Sequence, residues 1–160
     1  MLGRLPLVGA SCVAALSIGA AAAPGQVSRP FVLGPDQFKF DETGSGAVLC
    51  VWSIYLETQA ATKACGLKRR PADDAIDRAI LDIDDFIIAN SSLHPTRAAL
   101  EDFKQRTNEV FLHDLERRDF RKYCDGADLE GLRSETPDGV ASSIRALLAT
   151  PREPVMNPCL

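Results

Sequence analysis

The stretch that decides the fold runs from residue 71 to residue 90: Pro71-Ala72-Asp73-Asp74-Ala75-Ile76-Asp77-Arg78-Ala79-Ile80-Leu81-Asp82-Ile83-Asp84-Asp85-Phe86-Ile87-Ile88-Ala89-Asn90. Ile76, Ala79, Ile80, Ile83, Phe86 and Ile87 project within about 120° of one another when residues are wound at about 100° each, so the segment is an amphipathic helix that must bury one face. Pro71 suits a first helical turn, and Asp73 and Asp74 suit the positive end of the helix dipole. Leu81 and Ile88, seven apart, form a second and narrower stripe among the acids, which suggests that the helix is touched on two sides. Asn90-Ser91-Ser92 ends it.

Working towards the N-terminus, residues 47–65 contain neither Gly nor Pro and stop at Cys65-Gly66, a glycine in the usual place just past a helix end. Residues 23–46 are rich in Pro and Gly with scattered Phe31, Phe38 and Phe40, and read as an extended arm whose aromatics pack on the body. Before them, Arg4 precedes an uncharged run from Leu5 to Ala23 that closes on Ala20-Ala21-Ala22-Ala23, the pattern of a signal peptide cut after Ala22. Pro6, two glycines and two serines make that run a poor membrane anchor. The expected organisation is therefore signal peptide 1–22, arm 23–46 and helical domain 47–160, with no membrane span left after cleavage.

Towards the C-terminus, Thr96 is placed to cap a third helix running to about Tyr123, with Ala99, Leu100, Phe103, Val110 and Phe111 on its first apolar face and Leu112, Leu115, Phe120 and Tyr123 on a second. Gly126 and Gly131 mark an expected loop or short turn that holds Leu129 and Leu132. Thr136-Pro137-Asp138 opens a fourth helix carrying Val140, Ile144, Leu147 and Leu148, and Thr150-Pro151 stops it. No strand pattern and no internal repeat interrupts this order. The class is all-α: a small four-helix bundle, orthogonal or antiparallel, with an extended N-terminal arm.

Composition sets the outer bounds. The 160 residues are enough for one domain, and 46% apolar with 25% charged residues is an ordinary globular balance. Eighteen basic against 22 acidic side chains give a net charge of -4, spread along the chain, which excludes the basic footprint of a nucleic-acid binder. Removing residues 1–22, whose one charge is Arg4, leaves 138 residues at -5 and takes away Cys12. Four cysteines then remain, an even number suited to disulfides in an oxidising compartment, the periplasm or beyond. None of their spacings fits a zinc site, and His94 and His113 lie near no cysteine.

Helix geometry selects the pairing. Cys50 and Cys65 sit fifteen residues apart on one helix, about 22 Å at 1.5 Å per residue, whereas a cystine tolerates roughly 7 Å between Cα atoms. If short turns make successive helices antiparallel, helices 1 and 3 finish at the same end, bringing Cys65 to Cys124, and the tail returns Cys159 to Cys50. Each link would stabilise the fold by about 2–4 kcal/mol.

Two constellations could carry chemistry. Asp73-Asp74-Ala75-Ile76-Asp77 spells the DDxxD pattern that holds Mg²⁺ and diphosphate in prenyltransferases and terpene synthases, but no second acidic motif accompanies these five residues, so they read as a solvated helix start. Asp82, Asp84 and Asp85 continue the acidity without the spacing of an EF-hand loop. His113-Asp114, on a helix of a small exported protein with two cystines, is similar to the His-Asp pair of secreted phospholipases A2. That resemblance implies His113 as the general base for a water and Asp114 as a calcium ligand, although no Gly-rich calcium loop precedes the pair. Trp52 and Tyr55, three apart, read as core or as a binding stripe. No nucleophile elbow, phosphate loop or unpaired cysteine adds a catalytic set, and no cofactor or metal is expected. The expected function is a small exported non-enzymatic protein, protein-binding or stress-protective, whose partner is another envelope or secreted protein. The alternative is a calcium-dependent lipid hydrolase using His113 and Asp114.

Overall fold

The computed structural model describes residues 30–117 and 119–159. The expected signal peptide, Cys12 and the first residues of the arm lie outside them. The elements are α1 (Val48–Ala64), α2 (Pro71–Asn90), α3 (Arg97–Arg117), α4 (Phe120–Cys124), α5 (Ala127–Arg133) and α6 (Pro137–Leu147), preceded by a 3₁₀ turn at Pro35–Phe38. Four long helices and two short ones make an all-α bundle. Among the described residues the one piece of β pairing is an isolated parallel bridge between Phe40 and Asn157.

The amphipathic stretch occupies the centre: α2 packs against α1, α3, α5 and α6. Its apolar stripe of Ile76, Ala79, Ile80, Ile83, Phe86 and Ile87 joins Val48, Leu49, Trp52, Tyr55 and Leu56 of α1, Ala99 and Leu100 of α3, and Val140, Ile144 and Leu147 of α6 in one core. Trp52 stacks on Phe103 with ring centroids 5.6 Å apart, and Phe31 from the arm meets the same Phe103 edge-on at 5.2 Å. Trp52 and Tyr55 are thus core residues and form no exposed binding stripe. Of the second α2 stripe, Ile88 packs against the core, whereas Leu81 is 54% exposed.

The helix ends follow local chemistry. Gly66, at φ +62°, takes the left-handed turn that stops α1 and that a side chain would strain. The hydroxyl of Thr96 accepts from the Ala99 N–H at the start of α3, and that of Thr136 accepts from the Gly139 N–H at the start of α6.

Three expectations are corrected. The third helix does not reach Tyr123: it stops at Arg117, and a new helix starts at Phe120 after Asp119, whose carboxylate accepts from the Lys122 N–H at 3.1 Å. The segment expected as a loop between Gly126 and Gly131 forms α5, because Arg133 at its end is drawn into a buried ion pair with Asp73. Val110, assigned to an apolar face, is 63% exposed, whereas the buried positions of α3 are Ala99, Leu100, Lys104 and Leu115.

Both cystines join the expected partners. Cys65 and Cys124 lie 5.7 Å apart between Cα atoms, and Cys50 and Cys159 lie 5.1 Å apart, so the ends of α1 and α4 meet and the tail returns to the start of α1. The tail is also built into the fold. Val155 O accepts from the Leu49 N–H in the first turn of α1, Gln37 O accepts from the Met156 N–H, and Asn157 O accepts from the Asp41 N–H.

Candidate functional site

The side chains with reactive potential divide into those committed to the fold and those facing a groove. Asp84 is fully buried beneath α3. Its Oδ1 accepts from the Trp52 indole N–H at 2.9 Å, and its Oδ2 accepts from Lys104 Nζ at 2.7 Å and from Arg97 Nη1 at 3.3 Å. Lys104 also reaches Glu101 Oε1 at 2.7 Å. Asp73, the first acid of the DDxxD pattern, is not solvated. It pairs with Arg133 through two hydrogen bonds of 2.9 Å, and accepts from the Arg70 N–H at 2.7 Å. Burial draws its pKa upward, but the Arg133 hydrogen bonds, the Arg70 N–H and the guanidinium charge outweigh burial and hold it below the usual carboxylate range. Asp74 and Asp77 are bridged by Arg69 instead of facing a common centre. Among the described residues no three His, Cys, Asp or Glu side chains converge to hold a metal ion.

A second buried pair ties the two ends of the fold together. Arg152 places Nε 3.2 Å from Asp41 Oδ1, off the line of its N–H, so that contact is ionic. Its Nη1 donates to Leu147 O, its Nη2 donates to Gly46 O at 2.8 Å, and its guanidinium lies over the Phe86 ring. Burial raises the Asp41 pKa, while the Thr43 hydroxyl, the Gly46 and Thr43 N–H groups and the Arg152 charge together hold it below its ordinary value. Glu153 beside it accepts from Gln37, Ser91 and the Ser92 N–H. These acids and bases are occupied in joining elements.

The groove lies over α1 between α2 and α3, with a volume of about 800 Å³. Exposed Leu81 and half-buried Leu112 supply its apolar surface over a floor of buried Leu56 and Ile80, and Asp77, Glu101, Asp102 and Glu109 supply carboxylates around it. Gln59, Lys104, Gln105 and Asn108 complete the lining. Its shape follows from sequence periodicity: positions 101, 105, 108, 109 and 112 share one face of α3, three and four residues apart, opposite positions 77, 80 and 81 of α2. Asn108 Oδ1 is shielded from solvent and accepts no hydrogen bond. Leu81 was visible in sequence as part of a second stripe. Gln105, Asn108 and Glu109 were not, because nothing in a helix's own pattern marks which polar face will flank a neighbour.

His113 and Asp114 are exposed on α3 just beyond Leu112, and neither lines the groove. His94 is exposed in the turn before α3, with φ +45°, and its N–H donates to Ser91 O, a structural turn position. The four cysteines Cys50, Cys65, Cys124 and Cys159 are held in cystines. No described helix is long and apolar enough to cross a membrane. Comparison with protein families, with curated proteins and with solved structures returned no match.

Proposed function

We propose that this chain is an exported binding protein of the cell envelope or exterior, protein-binding or stress-protective, that acts by holding a partner and carries out no chemistry of its own. The observation that carries the reading is the open groove over α1, where exposed Leu81 and half-buried Leu112 stand among carboxylates and amides above buried Leu56 and Ile80. Apolar surface of this kind with a polar surround suits recognition of another macromolecule. Export is supported by the signal-like residues 1–22 and by two cystines, which persist in oxidising compartments. The buried ion pairs of Asp84, Asp73 and Asp41 support a rigid platform that presents the groove.

The test is a photo-crosslinking side chain placed at Gln105 in the full chain, with cystines intact, in the exporting cell. Discrete adducts at position 105, not seen when the same group replaces Glu42 on the arm, are the expected result. Two results would overturn the reading: no adduct at 105, or calcium-dependent lipid hydrolysis abolished by His113→Ala.

A further inference from the structure

We infer that the occupant of the groove is a cationic amphipathic helix of a partner protein; this rests on the groove being the binding site. The first argument is shape. From Glu101 to Leu112 the α3 wall spans about 16 Å, three turns of helix, and the facing α2 wall carries Ile80 and Leu81. A groove with one wall three turns long, faced by about one turn of α2 that carries an exposed leucine, accepts a helix that presents apolar residues at i, i+3, i+4 and i+7.

The second argument is charge. Four carboxylates and one ammonium line the groove. The ammonium does not repel a cation, because Lys104 Nζ is already held between Asp84 and Glu101, each 2.7 Å away. Asp77 pairs with Arg69 and Asp102 with Arg106, but Glu109 meets only the Gln105 side-chain amide among the described residues, at 3.1 Å. A Lys or Arg flanking the apolar stripe of an incoming helix would meet Glu109, which is exposed. An anionic segment would meet the Glu109 carboxylate and no unpaired cation of the lining. A second copy seated groove to groove would bring the same carboxylates against themselves, because a twofold contact matches each patch with its own image.

The probe is a labelled Leu/Lys amphipathic peptide of about four helical turns, titrated by fluorescence anisotropy into the oxidised protein, with a Leu/Glu peptide of the same pattern as comparison. The Leu/Lys peptide is expected to bind roughly tenfold more tightly than the Leu/Glu peptide. Leu81→Glu, at an exposed position, is expected to weaken it roughly tenfold. Glu109→Lys is expected to weaken it several-fold, while Glu42→Lys, an equal change in net charge on the arm, leaves it within about twofold. Equal binding of both peptides, or an equal loss from Glu42→Lys, would show attraction by net charge alone and overturn the inference. Concentration-dependent self-association abolished by Leu81→Glu would overturn it in favour of a second copy. Adducts at position 105 with a failed peptide preference would remove the cationic helix and leave the groove as a binding site. Loss of both would remove the groove as well.

Discussion

Asp84 and Asp73 are the residues whose roles a linear reading misassigns, although their positions were visible. With Asp73 at zero and about 100° per residue, Asp84 falls near 20° while Ile80, Ile87, Ile76 and Ile83 run from about -20° to about -80°, so both acids stand at the edge of the apolar stripe, between Ile80 and Ile88. An acid in that position must be buried with a counter-charge or turned out. Periodicity raises the question, but only the tertiary fold supplies Lys104, Arg97 and Trp52 to one acid and Arg133 to the other. Removing half of a buried pair strands the other charge, so Asp84→Asn should cost about 3–5 kcal/mol in denaturant unfolding. Replacing Asp84 and Lys104 together by Leu and Met should recover much of that loss. The depressed pKa values of Asp73 and Asp41 set a pH dependence with a definite sign. Each acid releases its proton more readily folded than unfolded, so below the ordinary value of about 3.9 the unfolded chain binds more protons. Their contribution is whole above that value and is lost as pH falls through the folded values. Urea titrations below pH 4 should show stability dropping, and Asp73→Asn, less stable at neutral pH, should show a shallower drop.

At the level of elements, α1, α2 and α6 were legible because each carries its own punctuation: Cys65-Gly66 after α1, Pro71 opening α2, Thr136-Pro137 opening α6. The break after Arg117 was not, since residues 112–124 contain neither Gly nor Pro and are rich in helix formers. Two constraints override that propensity: Cys124 must reach Cys65, and Asp119 offers a cap for a fresh helix. The formation of α5 has the same origin. It is docked on α2 by the buried Arg133–Asp73 pair and the exposed Arg70–Glu130 pair, partners some sixty positions away in sequence. Caps are the local part of this logic and have a measurable worth. Thr136→Ala removes the acceptor for the Gly139 N–H and should cost about 1 kcal/mol by thermal unfolding, with the groove and peptide binding unchanged.

Over the whole molecule, the chain closes on itself through a seam that composition alone would dismiss as two Pro-rich ends. The arm and the tail exchange Gln37 O with Met156 N–H and Asn157 O with Asp41 N–H, while Arg152 and Glu153 spread their hydrogen bonds across the arm, the end of α6 and the end of α2. The sequence called for the Cys50–Cys159 link on geometric grounds, but the seam itself needed knowledge of which backbone groups the helix ends leave open and what reaches them. The Leu49 N–H, an orphan donor in the first turn of α1, finds Val155 O there. The cystine and the seam therefore stabilise by different means, one by restricting the unfolded chain and the other through native contacts, and the two are separable. Cys159→Ser, paired with Cys50→Ser, should lower unfolding free energy by about 2–4 kcal/mol while retaining the helical content and a single cooperative transition. Truncation after Thr150 in that double-serine background should cost more again, because it also removes Arg152 and leaves Asp41 without its guanidinium and the Leu49 N–H without its acceptor. Denaturant unfolding of the intact, double-serine and truncated chains should rank in that order, and equal stability of the last two would show that the cystine alone fixes the tail.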